Sequence, residues 1–365
     1  ALGLQSRPAL ALRAEIAAAR LHAAFQQTEV HRAYLCPLDK ADDLPELGFG
    51  PNRIARLTPS ELEELIDLPK LKRISANWTF DPKLLSEFTW LMIKETYALN
   101  QPPEQRAPFL FESGGREDWG AIEPHRGHFP IAVEDALFAM LLAPWEDWVD
   151  TPSGWWRAFE VPWVYAIDND LFRRPSPPPS ADKLSWDYML EENGEEVFVD
   201  PNRVPLKDDA ANLSQWLANA RWSDLARAQK SPLFTTPVKH FFVKAFLEEP
   251  LDEFLAHMLT IEAALGLESD YLRRGQPRPP RGATKLMEAR VSALLKAGSK
   301  GKSYCHLFNL RSAFLHGRRM DAPIPGKARL MARRLAREVV QKLVEVALTR
   351  PGPEFRETYL NELGQ

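Results

Sequence analysis

Apolar positions recur with two different periods along this chain. In residues 1–205, short runs bounded by Pro, Gly or Asp alternate with amphipathic stretches, the mixture expected of an α+β domain. The runs HRAYLCPL (31–38), PNRIARL (51–57), APFLFES (107–113) and WVYAID (163–168) predict strands. PALALRAEIAAARLHAAFQQ (8–27), LTPSELEELID (57–67) and PIAVEDALFAMLLAPWEDW (130–148) predict helices, the second opened by Pro-Ser and acidic residues and the third ended near Pro144. A proline-rich segment, RRPSPPPSADKLSW (173–186), precedes MLEENGEEVFV (189–199), in which Asn193-Gly194 sits between two strand-like halves. The chain then changes character.

From residue 208 the spacing becomes helical almost throughout. Candidate helices lie in 208–229, 236–267, 283–298, 303–317 and 326–350, the second interrupted at Pro250 as one kinked helix or two. Phe254, Met258 and Ile261 mark one apolar stripe, and Leu335, Val339 and Leu343 another. The expected architecture is therefore an N-terminal α+β domain over residues 1–205 followed by an all-α bundle over 206–365.

Composition adds limits. At 365 residues and 45% apolar content, two ordinary cores are expected. No apolar run is long enough to span a bilayer and the first residues lack a signal-peptide pattern, so a cytoplasmic protein without membrane attachment is expected. Two cysteines, Cys36 and Cys305, supply neither a disulfide framework nor a thiolate metal site. No cofactor or metal is expected; the pair His125 and His128 lacks a third ligand. The five tryptophans at 145, 148, 155, 156 and 163 read as packing of the N-terminal domain in preference to a base-stacking pocket.

Charge is uneven. Residues 271–350 hold 19 Lys and Arg against 4 Asp and Glu, a net of +15 in a chain whose total is −4. Such a basic segment is either the footprint of a phosphate-bearing partner or a solvated helix surface.

Within it, FNLRSAFLHGRR (308–319) carries the candidate chemistry. Tyr304, Leu307, Phe308, position 311 and Leu315 follow the stripe a bundle buries, yet position 311 is arginine. A guanidinium there needs a partner, and Glu262, on the matching stripe of its own helix, is one; a phosphate in a cleft is the other. Asn309, Ser312 and His316 form an adjoining polar face. Gly317 is the usual residue to end a helix, which leaves His316 at a C-terminus that favours the imidazolium. Arg318 and Arg319 add cations for binding RNA. RNA carries its own nucleophile in the 2′-hydroxyl, so a histidine to move protons and an arginine to neutralise the phosphoryl charge suffice without metal. The bare Arg-x4-His spacing is expected about once by chance in a chain of this composition, so context carries the assignment.

That context resembles the HEPN domains, specifically the Apea-like group. The resemblance lies in IEAALG (261–266), ATKLMEARVSALL (283–295), FNLRSAFLHGRR and RLAREVVQKLVEVAL, in that order, and spans residues 209–350. It implies a helical bundle, a homodimer, and a metal-independent endoribonuclease site in which Arg311 and His316 are the motif pair. Ser312 stands where many such nucleases have Asn, Asp or His, and Asn309 and Glu262 are supporting residues. Residues five apart on a helix point about 140° apart, so one motif converges only if the helix end unwinds or a second copy completes the cleft. The resemblance also implies a role in antiphage defence or a toxin-like stress response, with a regulatory or antitoxin partner. The rival expectation is a non-catalytic RNA-binding or protein-interaction module with a structural Arg/His pair.

Overall fold

A computed structural model describes residues 14–66, 80–99, 129–150, 157–172, 177–190, 196–270, 282–315, 323–350 and 355–365. The expected strand at 107–113, the residues His125 and His128, Trp155 and Trp156, and the Asn193-Gly194 turn lie outside them. The chain divides into two compact units: residues 1–124 with 159–204, and residues 125–158 with 205–365.

The first unit is α/β. Its sheet is antiparallel, ordered β2-β3-β4-β1-β5, from β1 (Glu29–Leu38), β2 (Leu47–Phe49), β3 (Asn52–Arg56), β4 (Thr89–Ala98) and β5 (Tyr165–Asp168). β6 (Trp186–Leu190) and β7 (Glu196–Pro201) form a separate antiparallel pair. Gly50 has φ 56° at the first of two residues joining β2 to β3, a conformation glycine takes at no steric cost. The central strand β4, TWLMIKETYA, was not among the expected strands. Its first five residues are buried without alternation, and strict alternation appears only in its second half, so a period of two is hard to read from it.

Among the described residues, three helices accompany the sheet: α1 (Ala14–Phe25), α2 (Pro59–Ile66) and the single turn α3 (Pro82–Leu85). α2 begins with a capping box, in which the Thr58 amide donates to the Glu61 carboxylate at 2.8 Å and the Glu61 amide donates to Thr58 Oγ1 at 3.3 Å. Asp81 caps α3 by accepting from the amides of Lys83 and Leu84 ahead of Pro82. Leu62, Ile66 and Leu85 from these helices meet Leu35, Trp90 and Met92 of the sheet in one core.

The second unit is helical among its described residues. It comprises α4 (Ile131–Leu141), α5 (Trp145–Trp148), α6 (Leu213–Trp216), α7 (Asn219–Ala228), α8 (Val238–Leu247), α9 (Pro250–Leu265), α10 (Ala283–Leu294), α11 (Gly298–Leu315), α12 (Gly326–Thr349) and α13 (Phe355–Leu363). Pro250 opens α9 at a position where a missing amide is harmless, so the interrupted stretch is two helices. Phe254, Met258 and Ile261 of α9 and Leu335, Val339 and Leu343 of α12 are all buried, and the two helices pack together. α10 and α11 approach closely at Gly301, where an added Cβ would lie 2.5 Å from the Glu288 carbonyl oxygen.

The border expected at 205/206 is close to one of three crossings between the units, at 124/125, 158/159 and 204/205. The segment around α4 belongs with the helical unit because its apolar face, including Phe138, meets Phe242 of α8 at 5.9 Å between ring centres. The tryptophans divide in the same way. Trp145 and Trp148 are buried edge to face in the helical unit, while Trp163 packs on Trp90 of the sheet unit. They do not form one N-terminal cluster.

Candidate functional site

Helix α11 starts at Gly298, five residues before the expected stretch, and its apolar face tapers toward its end. Tyr304 and Leu307 are buried, Phe308 is half-buried, and Leu315 is 51% exposed, so the stripe does not remain interior to the last turn. Arg311 sits on the taper. Its side chain keeps 21% of its surface and Nη1 donates to Glu262 Oε1 at 2.8 Å, with Glu262 17% exposed. Of the two partners open to this arginine, Glu262 is the one in place.

The pair is monodentate. Arg311 Nε is buried without a hydrogen-bond partner among the described residues, so the guanidinium spends one of its five donors on Glu262. Burial pushes the Glu262 carboxyl above its ordinary range, against the pull of Arg311. Asn309 is exposed and Ser312 half-buried on the same helix. His316, Gly317, Arg318 and Arg319 lie outside the described residues, so their distances to Arg311 carry no part of the geometry.

A second polar cluster lies inside the helical unit, among residues that sequence reasoning did not single out. Glu253 and His257, one turn apart on α9, are both buried, as are Arg333 and Arg337 on α12, Arg157, and Glu146 of α5. Glu253 accepts from Arg329 at 2.6 Å and lies 3.8 Å from Arg157, His257 and Arg333. Glu146 accepts from Arg337 Nε at 2.9 Å and lies 3.9 Å from Arg333 Nε. Burial alone would raise Glu253, but His257, Arg333 and Arg329 outweigh it and hold its carboxyl down at about 2. Burial pushes His257 below its ordinary value and lowers Arg333 to about 10 in spite of Glu146 and Glu253.

This cluster changes the meaning of the basic segment. Arg290 and Arg337 are buried and hydrogen-bonded within the chain, and Arg333 is buried beside them, so part of the positive charge of residues 271–350 lies inside the helical unit and does not form an exposed basic surface. Two signals were available in the sequence: Glu253 and His257 four apart beside the stripe of Phe254 and Met258, and Arg329, Arg333 and Arg337 at successive turns beside Leu335 and Val339. Both resemble solvated helix faces until the neighbouring helices are known.

No protein-family model, curated protein or solved structure matches this chain. Among the described residues, no three His, Cys, Asp or Glu side chains converge as a metal site, and no helix is long and apolar enough to cross a membrane.

Proposed function

We propose that the protein is a metal-independent endoribonuclease of the HEPN type, with Arg311 and His316 as its reacting pair and a homodimer completing the cleft. The observation that supports this reading is the state of Arg311. Its guanidinium is held at the end of α11 by one carboxylate and retains donors for a second oxyanion. In the reaction, the imidazole of His316 moves protons between the 2′-hydroxyl and the leaving 5′-oxygen, while Arg311 neutralises the phosphoryl oxygens. The product is a 2′,3′-cyclic phosphate. Ser312 and Asn309 border the same helix face, and Arg318 and Arg319 supply phosphate contacts. The cytoplasm, antiphage defence or a toxin-like response, and restraint by a regulatory or antitoxin partner belong to the same proposal.

The Arg311–Glu262 ion pair also favours a second reading. A cation already paired within its own chain serves a structural role, and the bundle is then a non-catalytic RNA-binding or protein-interaction module.

Incubation of the purified protein with labelled single-stranded RNA in EDTA separates the two. The nuclease reading expects chelator-resistant cleavage with cyclic-phosphate ends, abolished in His316→Ala and Arg311→Ala variants that keep the fold and oligomeric state of the parent. Salt-sensitive RNA binding that persists in His316→Ala, with no cleavage by the parent protein, supports the module instead.

A further inference from the structure

The cluster between α5, α8, α9 and α12 encloses a small cavity lined by Leu141, Trp145, Phe242, Phe246 and the polar groups of Glu146, His257, Arg333 and Arg337. The walls leave room for about one water-sized particle. Arg333 is 3% exposed and its Nη1 and Nη2 donate to no acceptor among the described residues; the guanidinium lies 4.4 Å from the Phe246 ring centre. His257 is 1% exposed with neither ring nitrogen hydrogen-bonded. Orphan donors at this depth cost free energy unless something accepts from them.

We propose that this cavity is a binding site for one small monovalent anion of the size of chloride. Two guanidinium cations, Arg333 and Arg337, face it with a single carboxylate, Glu146, so its lining carries one excess positive charge. The other carboxylates in reach are already engaged: Glu253 accepts from Arg329 at 2.6 Å, and the half-exposed Asp147 accepts from Arg334. A monovalent anion neutralises the excess.

Water fits the groups less well. The unsatisfied atoms are mostly donors, the two Arg333 nitrogens and one imidazole N–H; a water could accept from these and donate to Glu146 or to the free imidazole nitrogen, but being neutral it leaves the excess positive charge of the lining uncompensated. Phosphate and sulfate are too large for the space, and the aromatic and aliphatic walls exclude an ion that keeps its hydration shell. Neutral His257, favoured by burial, is suited to donate one N–H to such an ion. This site is independent of Arg311 and of the nuclease proposal.

The test uses the full chain. Melting temperatures are compared in sodium chloride and sodium gluconate at equal ionic strength, with sodium sulfate as a third arm, and chloride-35 NMR line widths are followed during displacement by bromide. The expected result is a higher Tm in chloride than in gluconate, excess line broadening that bromide reverses, and loss of both effects in Arg333→Met, while sulfate, which stabilises by exclusion from the protein surface, acts alike on parent and variant. Equal Tm in chloride and gluconate with no excess broadening overturns the proposal. So does a chloride effect that survives intact in Arg333→Met, since the ion then binds elsewhere. Should that variant not fold, crystals of the parent protein soaked in bromide decide the matter: an anomalous peak beside Arg333 supports the site, and its absence there refutes it.

Discussion

Arg290 and Arg333 are buried to nearly the same depth in the same helical unit, and their surroundings differ in kind. Arg290 donates to both oxygens of Asp270, to the Leu265 carbonyl and to the Leu360 carbonyl, each of the latter at 2.9 Å, so it ties α9, α10 and α13 together. Arg333 touches carboxylates only at 3.8 and 3.9 Å and leaves two nitrogens unbonded beside a cavity. Depth alone does not say what a buried arginine is for. A completed set of partners marks a structural knot, while an incomplete set beside open space marks a place where something else binds.

Substitution exposes the contrast most strongly. Arg290→Met leaves the buried Asp270 carboxylate uncompensated and should cost about 3–5 kcal/mol in urea unfolding. Arg333→Met leaves Glu253 with Arg329 and Glu146 with Arg337, so its cost in chloride-free buffer should be about 1 kcal/mol or less. Equal losses at the two positions would erase the distinction.

Acid sharpens it next. Glu253 is held at about 2 in the fold against an ordinary 4.5, so its stabilisation is complete above the higher value and drains as pH falls through the lower one. The gap corresponds to about 3 kcal/mol. His257 acts with the same sign: its folded value lies below 6.5, so the unfolded chain takes up that proton first as pH falls. Stability measured from pH 7 down to 2 should decline, and Glu253→Gln should flatten the limb below pH 4.5.

The smallest effect is expected at Lys296, which has φ 52° just past the end of α10, the helix that carries Arg290. Lys296→Gly relieves the left-handed strain but loosens the unfolded chain, for a net gain of about 0.5 kcal/mol. The chloride dependence of Tm should be unaltered, since the position lies outside the cavity.

Parts of this architecture were legible before any coordinates. The helical spacing of Phe254, Met258 and Ile261, the break at Pro250 and the standing of Glu262 as one of two partners open to Arg311 follow from period and charge along single elements, and the structure decides for Glu262. Strand β4 was not legible, because a central strand buried on both faces over Thr89–Ile93 has no alternation to read. Nor was the placement of residues 125–158, since an apolar helix such as α4 shows that it must be covered but not by what.

The sequence by itself determined the two periods, the helical character of the second half, and the presence of an arginine where a stripe residue belonged, all of which depend on neighbours within a few turns. The tertiary structure decided which charges are interior. Arg290, Arg333 and Arg337 look alike on a helical projection, and only the packing of α9, α5 and α13 around them converts one into a knot and another into the rim of a cavity, because burial and pairing are properties of what comes together in space.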